Sequence, residues 1–424
     1  YSNTTGTSNT ANGSWAMWYN TIGVNNTANG SVALYLNSTG NQNTATGVSA
    51  MYFSTSGSFN TATGYNALKR NTSGSQNTAT GAYALDSNTI GNFNTATGLG
   101  SLQKNSIGNN NTATGYNALK LSTTSSFNTA NGSLALAANT TGADNTANGY
   151  AALGKNTTGS DNTSVGWNSM RDNTNGKENV ALGLNTLALN TGGSWNTAIG
   201  PYAIQCASAS TFSYNVGVGF RALAGATTGG SNTAVGSSAL IANAGGINNV
   251  GLGNNTLFSN TTGRSNTAGG AYALNKNVSS NYNTSYGDSS LYNTIAGYNS
   301  ALGAYAGTVN TTGTNNTLLG AYSDVTTNAL TNATAVGYNT KVSASNNMVF
   351  GNTNVVGWGF GAVPVASADA IRVGTSPTNG NGATLSVSGN WTSTSDSTKK
   401  FNINAITYGL KEVLKLRPVS YKMK

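Results

Sequence analysis

The chain has 424 residues, a formal net charge of +9, only 7% charged side chains, 55 glycines, one cysteine and no histidine. Without histidine there is no His-held metal, no Ser-His-Asp triad and no Cys-His dyad, and a single cysteine excludes an internal disulfide framework. Seven of the nineteen basic residues fall in the last twenty-six, which leaves twelve basic against nine acidic side chains over the first 398 and argues against a nucleic-acid groove along the chain.

An Asn-Thr-Ala-x-Gly core organises the chain from its start. It begins at Asn9 and recurs every seventeen residues through Asn196, resumes after a two-residue insertion at Asn215, and continues to Asn283. Looser copies begin at Asn299, Asn316, Ala333 and Asn347, for twenty-one in all. A fixed short period marks a solenoid whose units bury their apolar faces only against neighbours. Seventeen residues is too short for a helix pair. With its Thr, Ala, Val and Leu alternation and its Asn, Gly and Ser punctuation, it suits a coil of two short strands and two turns. The fold class expected is all-β, a parallel β-solenoid or β-roll. At about 4.8 Å per coil the stack makes a rod on the order of 100 Å long.

Each slot of the coil has a physical reading. The fifth, always Gly, suits a turn with positive φ or a close backbone approach. The leading Asn can bond from coil to coil. The ninth slot is a large aliphatic residue in the first seventeen copies, through Leu291, and reads as a hydrophobic spine; it becomes Gly307, Asp324 and Lys341 in the next three. Residues 1–291 are therefore regular roll and 292–351 degenerate roll. The fourth slot is Thr or Asn in copies one to nine and Val, Leu or Ile in copies ten to fifteen; facing inward, it would make the second half the greasier. So thin a solenoid has little room for a core, so several chains are expected to share one. Cys206, at the insertion, reads as a small buried filler.

Two stretches carry resemblances. Asn196-Thr197-Ala198-Ile199-Gly200 and Asn232-Thr233-Ala234-Val235-Gly236 resemble the head repeat of trimeric autotransporter adhesins over roughly residues 1–351, although the period here is longer than that family's. The resemblance implies a left-handed roll and a homotrimer. Residues 352–390 read as a small β connector, similar to the neck segments of bacterial and phage fibres. Then Ser395-Asp396-Ser397-Thr398-Lys399-Lys400 leads into Gly409–Tyr421, where Ile403, Ile406, Leu410, Val413 and Leu414 share one helical face before Pro418. Residues 391–424 resemble the start of the endosialidase-type intramolecular chaperone of phage tail fibres and spikes. That resemblance implies Ser395 and Lys400 as a self-cleavage pair, although Lys399 stands where the family usually has Leu.

Other candidate sites follow from the period. Asp144, Asp161 and Glu178 occupy one slot of three successive coils and would stack roughly 5 Å apart, as a cation ladder, as glycosidase carboxylates or as plain surface charges. Tyr65, Tyr116 and Tyr150 follow the core Gly and offer ring faces to a sugar or cover the roll. The glycines are periodic and lack a Gly-Lys-Ser/Thr continuation, so no phosphate loop is expected. No cofactor is expected, and no apolar run reaches membrane-spanning length, so no membrane insertion by this chain is expected. Tyr1 opens inside repeat-like sequence, as in a processed or partial chain. The expected function is an extracellular fibre for adhesion to a cell-surface glycan or receptor, most like a phage tail fibre or an injection-machine fibre, on a virion tail or a bacterial cell surface. A surface adhesin or capture appendage, a glycan-degrading tail spike and an antifreeze-like rod are the alternatives.

Overall fold

The computed structural model describes residues 2–205 and 210–355 in full and, beyond them, the backbone of four strands. Ser395, Lys400, Cys206 and the helix expected over 403–414 lie outside the described residues. The chain forms two units, Tyr1–Phe350 and Gly351–Lys424. In the second, Trp358–Phe360 pairs in parallel with Asp369–Gly374, which pairs antiparallel with Gly382–Ser386, and that strand antiparallel with Trp391–Ser393.

The first unit is an all-β parallel solenoid. Each core repeat forms one strand of a 21-stranded parallel sheet, in strict register from coil to coil: Thr61 pairs with Thr78, Ala62 with Ala79 and Thr63 with Thr80. The insertion before Asn215 does not break the sheet, since Thr197–Ile199 pairs directly with Val216–Val218. No helix occurs among the described residues, and none there is long and apolar enough to cross a membrane.

The coil Asn60–Gln76 shows how the sequence makes this shape. Thr61–Thr63 is a strand with Ala62 buried and its neighbours exposed, as the two-residue alternation of a strand requires. Gly64 follows at φ +136°, where a Cβ would strike the carbonyl of Gly81. The far flank departs from the expected second strand. Ala67 and Leu68 are consecutive and both fully buried, which a pleated strand cannot do. Instead Asn66 and Leu68 take left-handed φ values of 57° and 52°. Their amides then bond in opposite directions, Asn66 N–H to Val48 O at 3.1 Å and Leu68 N–H to Ala84 O at 2.9 Å. Left-handed backbone costs about 1–2 kcal/mol in a residue with a side chain, a cost offset here by complete burial of leucine.

This geometry also corrects the expected shared core. The ninth-slot residues from Met17 to Leu291 are fully or almost fully buried within one chain, against the small third-slot residues. Folding two adjacent side chains inward fills the thin coil. Where the ninth slot loses its aliphatic residue, a true second strand appears: Asp324–Val325 pairs in parallel with Lys341–Val342.

Two asparagine columns flank that core. In the first, the core Asn of each coil accepts from the next: Asn77 N–H donates to Asn60 Oδ1 at 3.0 Å and Asn77 Nδ2 to the same oxygen at 3.2 Å. The second column, in the twelfth slot, is invisible in the core motif. Asn88 Nδ2 donates to Asn71 Oδ1 at 2.8 Å. The columns converge on one carbonyl, since Gly74 O accepts from Asn60 Nδ2 at 2.9 Å and Asn71 Nδ2 at 2.7 Å. Nearly every one of these amides is sealed from solvent, so a missing partner is costly. Where Ser54 interrupts the second column, both Asn37 Oδ1 and Ser54 Oγ are buried without a partner.

Two predictions follow from these columns and from the degenerate coils. Asn111→Ala strips the acceptor from Asn128 N–H and Nδ2 and should destabilise the neighbouring coils by about 2–4 kcal/mol, whereas Ser54→Asn should stabilise by about 1 kcal/mol; denaturant unfolding checks both signs. Asp324 is buried and accepts from Val309 N–H at 2.9 Å and Val325 N–H at 2.8 Å. Burial pushes its carboxyl above the ordinary range, against those hydrogen bonds and the Lys341 charge. The folded form thus holds its proton more tightly, and its stabilisation is full below the unfolded pKa and lost as pH rises through the folded one. Native-state hydrogen exchange over 307–342 should show weaker protection as pH rises from about 4 to 7, and Asp324→Asn should flatten that trend.

Candidate binding face

Because the third slot points into the core, the second and fourth slots of every strand point outward. The fourth slot therefore forms an external stripe and not an inner ladder. In the first nine coils the face is hydroxyl and amide, as Thr61 and Thr63 or Thr146 and Asn148. From the tenth coil its fourth slot turns mostly apolar, with Ile199, Val235, Leu252, Leu302, Leu319 and Phe350 exposed, while the second slot stays mostly Thr. The change of side chain is thus a change of surface, while the interior stays the same.

The sixth and seventeenth slots border this face. Tyr65, Tyr116 and Tyr150 are exposed along the first border. Tyr65 meets Tyr83 edge to face at 5.3 Å, and Tyr150 stacks with Trp167 at 6.1 Å. The structure does not gather the three tyrosines into one pocket; they are separate stations along the rod.

Asp144, Asp161 and Glu178 do share one column on the second border. All three are exposed and left-handed, with φ values of 56°, 60° and 55°, and their amides climb the stack, as Asp161 N–H to Ala143 O at 3.1 Å. Glu178 Oε2 accepts from Trp195 Nε1–H at 2.9 Å, and Trp195 in turn stacks on Tyr214 at 4.9 Å. Among the described residues no group of three His, Cys, Asp or Glu side chains is placed to hold a metal ion. The carboxylates stand on an exposed edge.

Two aromatic features were missed in sequence. One is the seventeenth slot itself, where Phe59, Phe93, Phe127, Trp195, Tyr214, Tyr282 and Tyr298 are exposed; aligning the coils by slot would have displayed it. The other is a cluster on the first three coils, outside the strand face. Tyr35 contacts Tyr19 at 5.1 Å and Tyr52 at 5.0 Å, and Trp15 at 6.4 Å. Off the strand face a few charged side chains pair, Arg70 with Asp86 of the next coil at 3.0 Å and Asp172 with cations of its own coil and of the one before. Asp172 is bridged by Lys155 at 2.8 Å and Arg171 at 2.6 Å. Burial opposes its ionisation, yet these two cations hold its carboxyl below the usual range.

No family model matches the chain, and no curated protein matches it. Millimolar calcium should leave the melting temperature unchanged to within about 1 °C, since exposed carboxylates without a cage give little binding to link to folding. A rise of several degrees that Asp161→Asn abolishes would restore the acidic column as a cation site.

Proposed function

We propose that the chain is an extracellular fibre protein that binds a cell-surface receptor, and that it works as a homotrimer. The observation that carries this reading is the unbroken stack of twenty-one in-register coils with a two-part outer face. A rod of this kind provides reach and stiffness, and repeats one surface many times over. The apolar fourth-slot stripe of the later coils is more continuous than the scattered apolar residues a monomer normally exposes, and a second copy of the same face is the natural occupant, because identical coils match each other in pitch. The count of three comes from the resemblance to trimeric autotransporter heads. The resemblance of residues 391–424 to a tail-fibre chaperone favours a phage tail or injection-machine fibre over a bacterial surface adhesin. Binding is favoured over glycan cleavage because the only acidic column among the described residues stands on an exposed edge.

Native and denaturing mass spectrometry test this together. The expected result is a three-chain assembly that keeps the residues beyond Ser395, and Leu302→Asp with Leu319→Asp should lower the copy number. Chains ending at Thr394 would show Ser395 and Lys400 to be a working cleavage pair. A single-chain mass would overturn the assembly.

A further inference from the structure

The seventeenth slot holds an unexplained expense. Phe59, Phe93 and Phe127 sit at φ 60°, 58° and 60°, a left-handed backbone unfavourable for a bulky residue. For the leucines of the ninth slot, burial offsets this cost. These phenylalanines are 57%, 54% and 59% exposed, so neither backbone preference nor burial accounts for them. Outliers that serve neither purpose point to function.

Their spacing is equally specific. Between and before them in the column stand Gln42, Gln76 and Asn110, exposed and in the same left-handed backbone. The order is amide, ring, amide, ring, amide, ring, one residue per coil. The rings thus recur every two coils, about 9.6 Å. An extended β-1,4-linked glycan turns each sugar over relative to the last, so that every second ring presents the same face, and two rings occupy about this length. The strand hydroxyls of Thr61, Thr78 and Thr95 lie next to the column on their own coils. The charges that extend the column, Asp144, Asp161 and Glu178, are all acidic and disfavour an anionic chain.

We propose that the column from Gln42 to Phe127 is a binding track for one neutral, extended β-1,4-linked polysaccharide, lying along the rod axis. Alternate sugars stack on Phe59, Phe93 and Phe127, and the amides between them bond the ring hydroxyls. The track spans five coil steps, on the order of 24 Å, which accommodates about five sugars. This deepens the fibre reading and rests on it.

The test uses the full chain and two soluble probes, cellohexaose and N-acetylchitohexaose, by titration calorimetry. Asparagine occupies the same slot at Asn110 and Asn248, so Phe59→Asn, Phe93→Asn and Phe127→Asn keep the fold, which thermal melting verifies. At least one hexasaccharide should bind, with each single variant weakened about fivefold and the triple variant about a hundredfold. The matching disaccharide should bind at least tenfold more weakly than the hexamer. Which hexasaccharide binds decides between hexose and N-acetylhexosamine. Equal affinity of triple variant and wild type, or no binding of either hexasaccharide, overturns the track. Adhesion to intact cells separates the two failures: if wild type and triple variant adhere equally, the track is wrong and the fibre reading stands, whereas no adhesion by either removes both.

Discussion

Buried asparagine stacked on itself sets the terms for everything else in the first unit. Each core amide accepts from the coil that follows and donates to the one before it, and both columns tie down the same glycine carbonyl. An amide can do this only at one strand spacing and in exact register. A shift by one residue would move the asparagines outward and the exposed threonines in. The polar composition that would suit a disordered chain is therefore the source of order here, because the polar groups find each other across coils at the same height every time.

The core follows from this register. A seventeen-residue loop encloses little volume, and a second strand would have placed Ala67 and Leu68 on opposite sides. Left-handed residues on the far flank let both turn inward, and a single chain closes over its own spine. The solenoid class, the period and the aliphatic spine were legible in sequence because they depend on which residues recur. The direction of the fourth slot was not. It follows from the third slot being buried, and a three-residue strand is too short for its alternation to be recognised without knowing which residue faces in. The left-handed flank was also hidden, since leucine gives no sign of a conformation it normally avoids. The second asparagine column was hidden by its interruptions, as at Ser54, Ser122, Ala226 and Thr294.

The same separation governs function. Since the buried slots are one, three, eight, nine and twelve, and the glycines of the fifth slot and between the columns complete the turns, the outward slots are free to vary. They vary in blocks: the fourth slot is hydroxyl or amide over nine coils and mostly apolar thereafter, and aromatic side chains recur along the sixth and seventeenth slots. Of the residues singled out in sequence, the tyrosines and the acidic column are on this surface, while the alternation of phenylalanine and amide emerges only once the seventeenth slot is seen as one exposed edge. A solenoid with an invariant interior is in this sense a template on which a linear surface can be written one coil at a time.

The claim on which this account depends is that the asparagine columns are sealed and bonded. Hydrogen exchange of side-chain amides, followed by NMR on selectively asparagine-labelled protein, measures this directly. The core and twelfth-slot amides should exchange only through opening of the coils, and far more slowly than exposed ones such as that of Asn110. If all the asparagine amides exchange at the fast, exposed rate, the columns do not hold the stack and another interaction must.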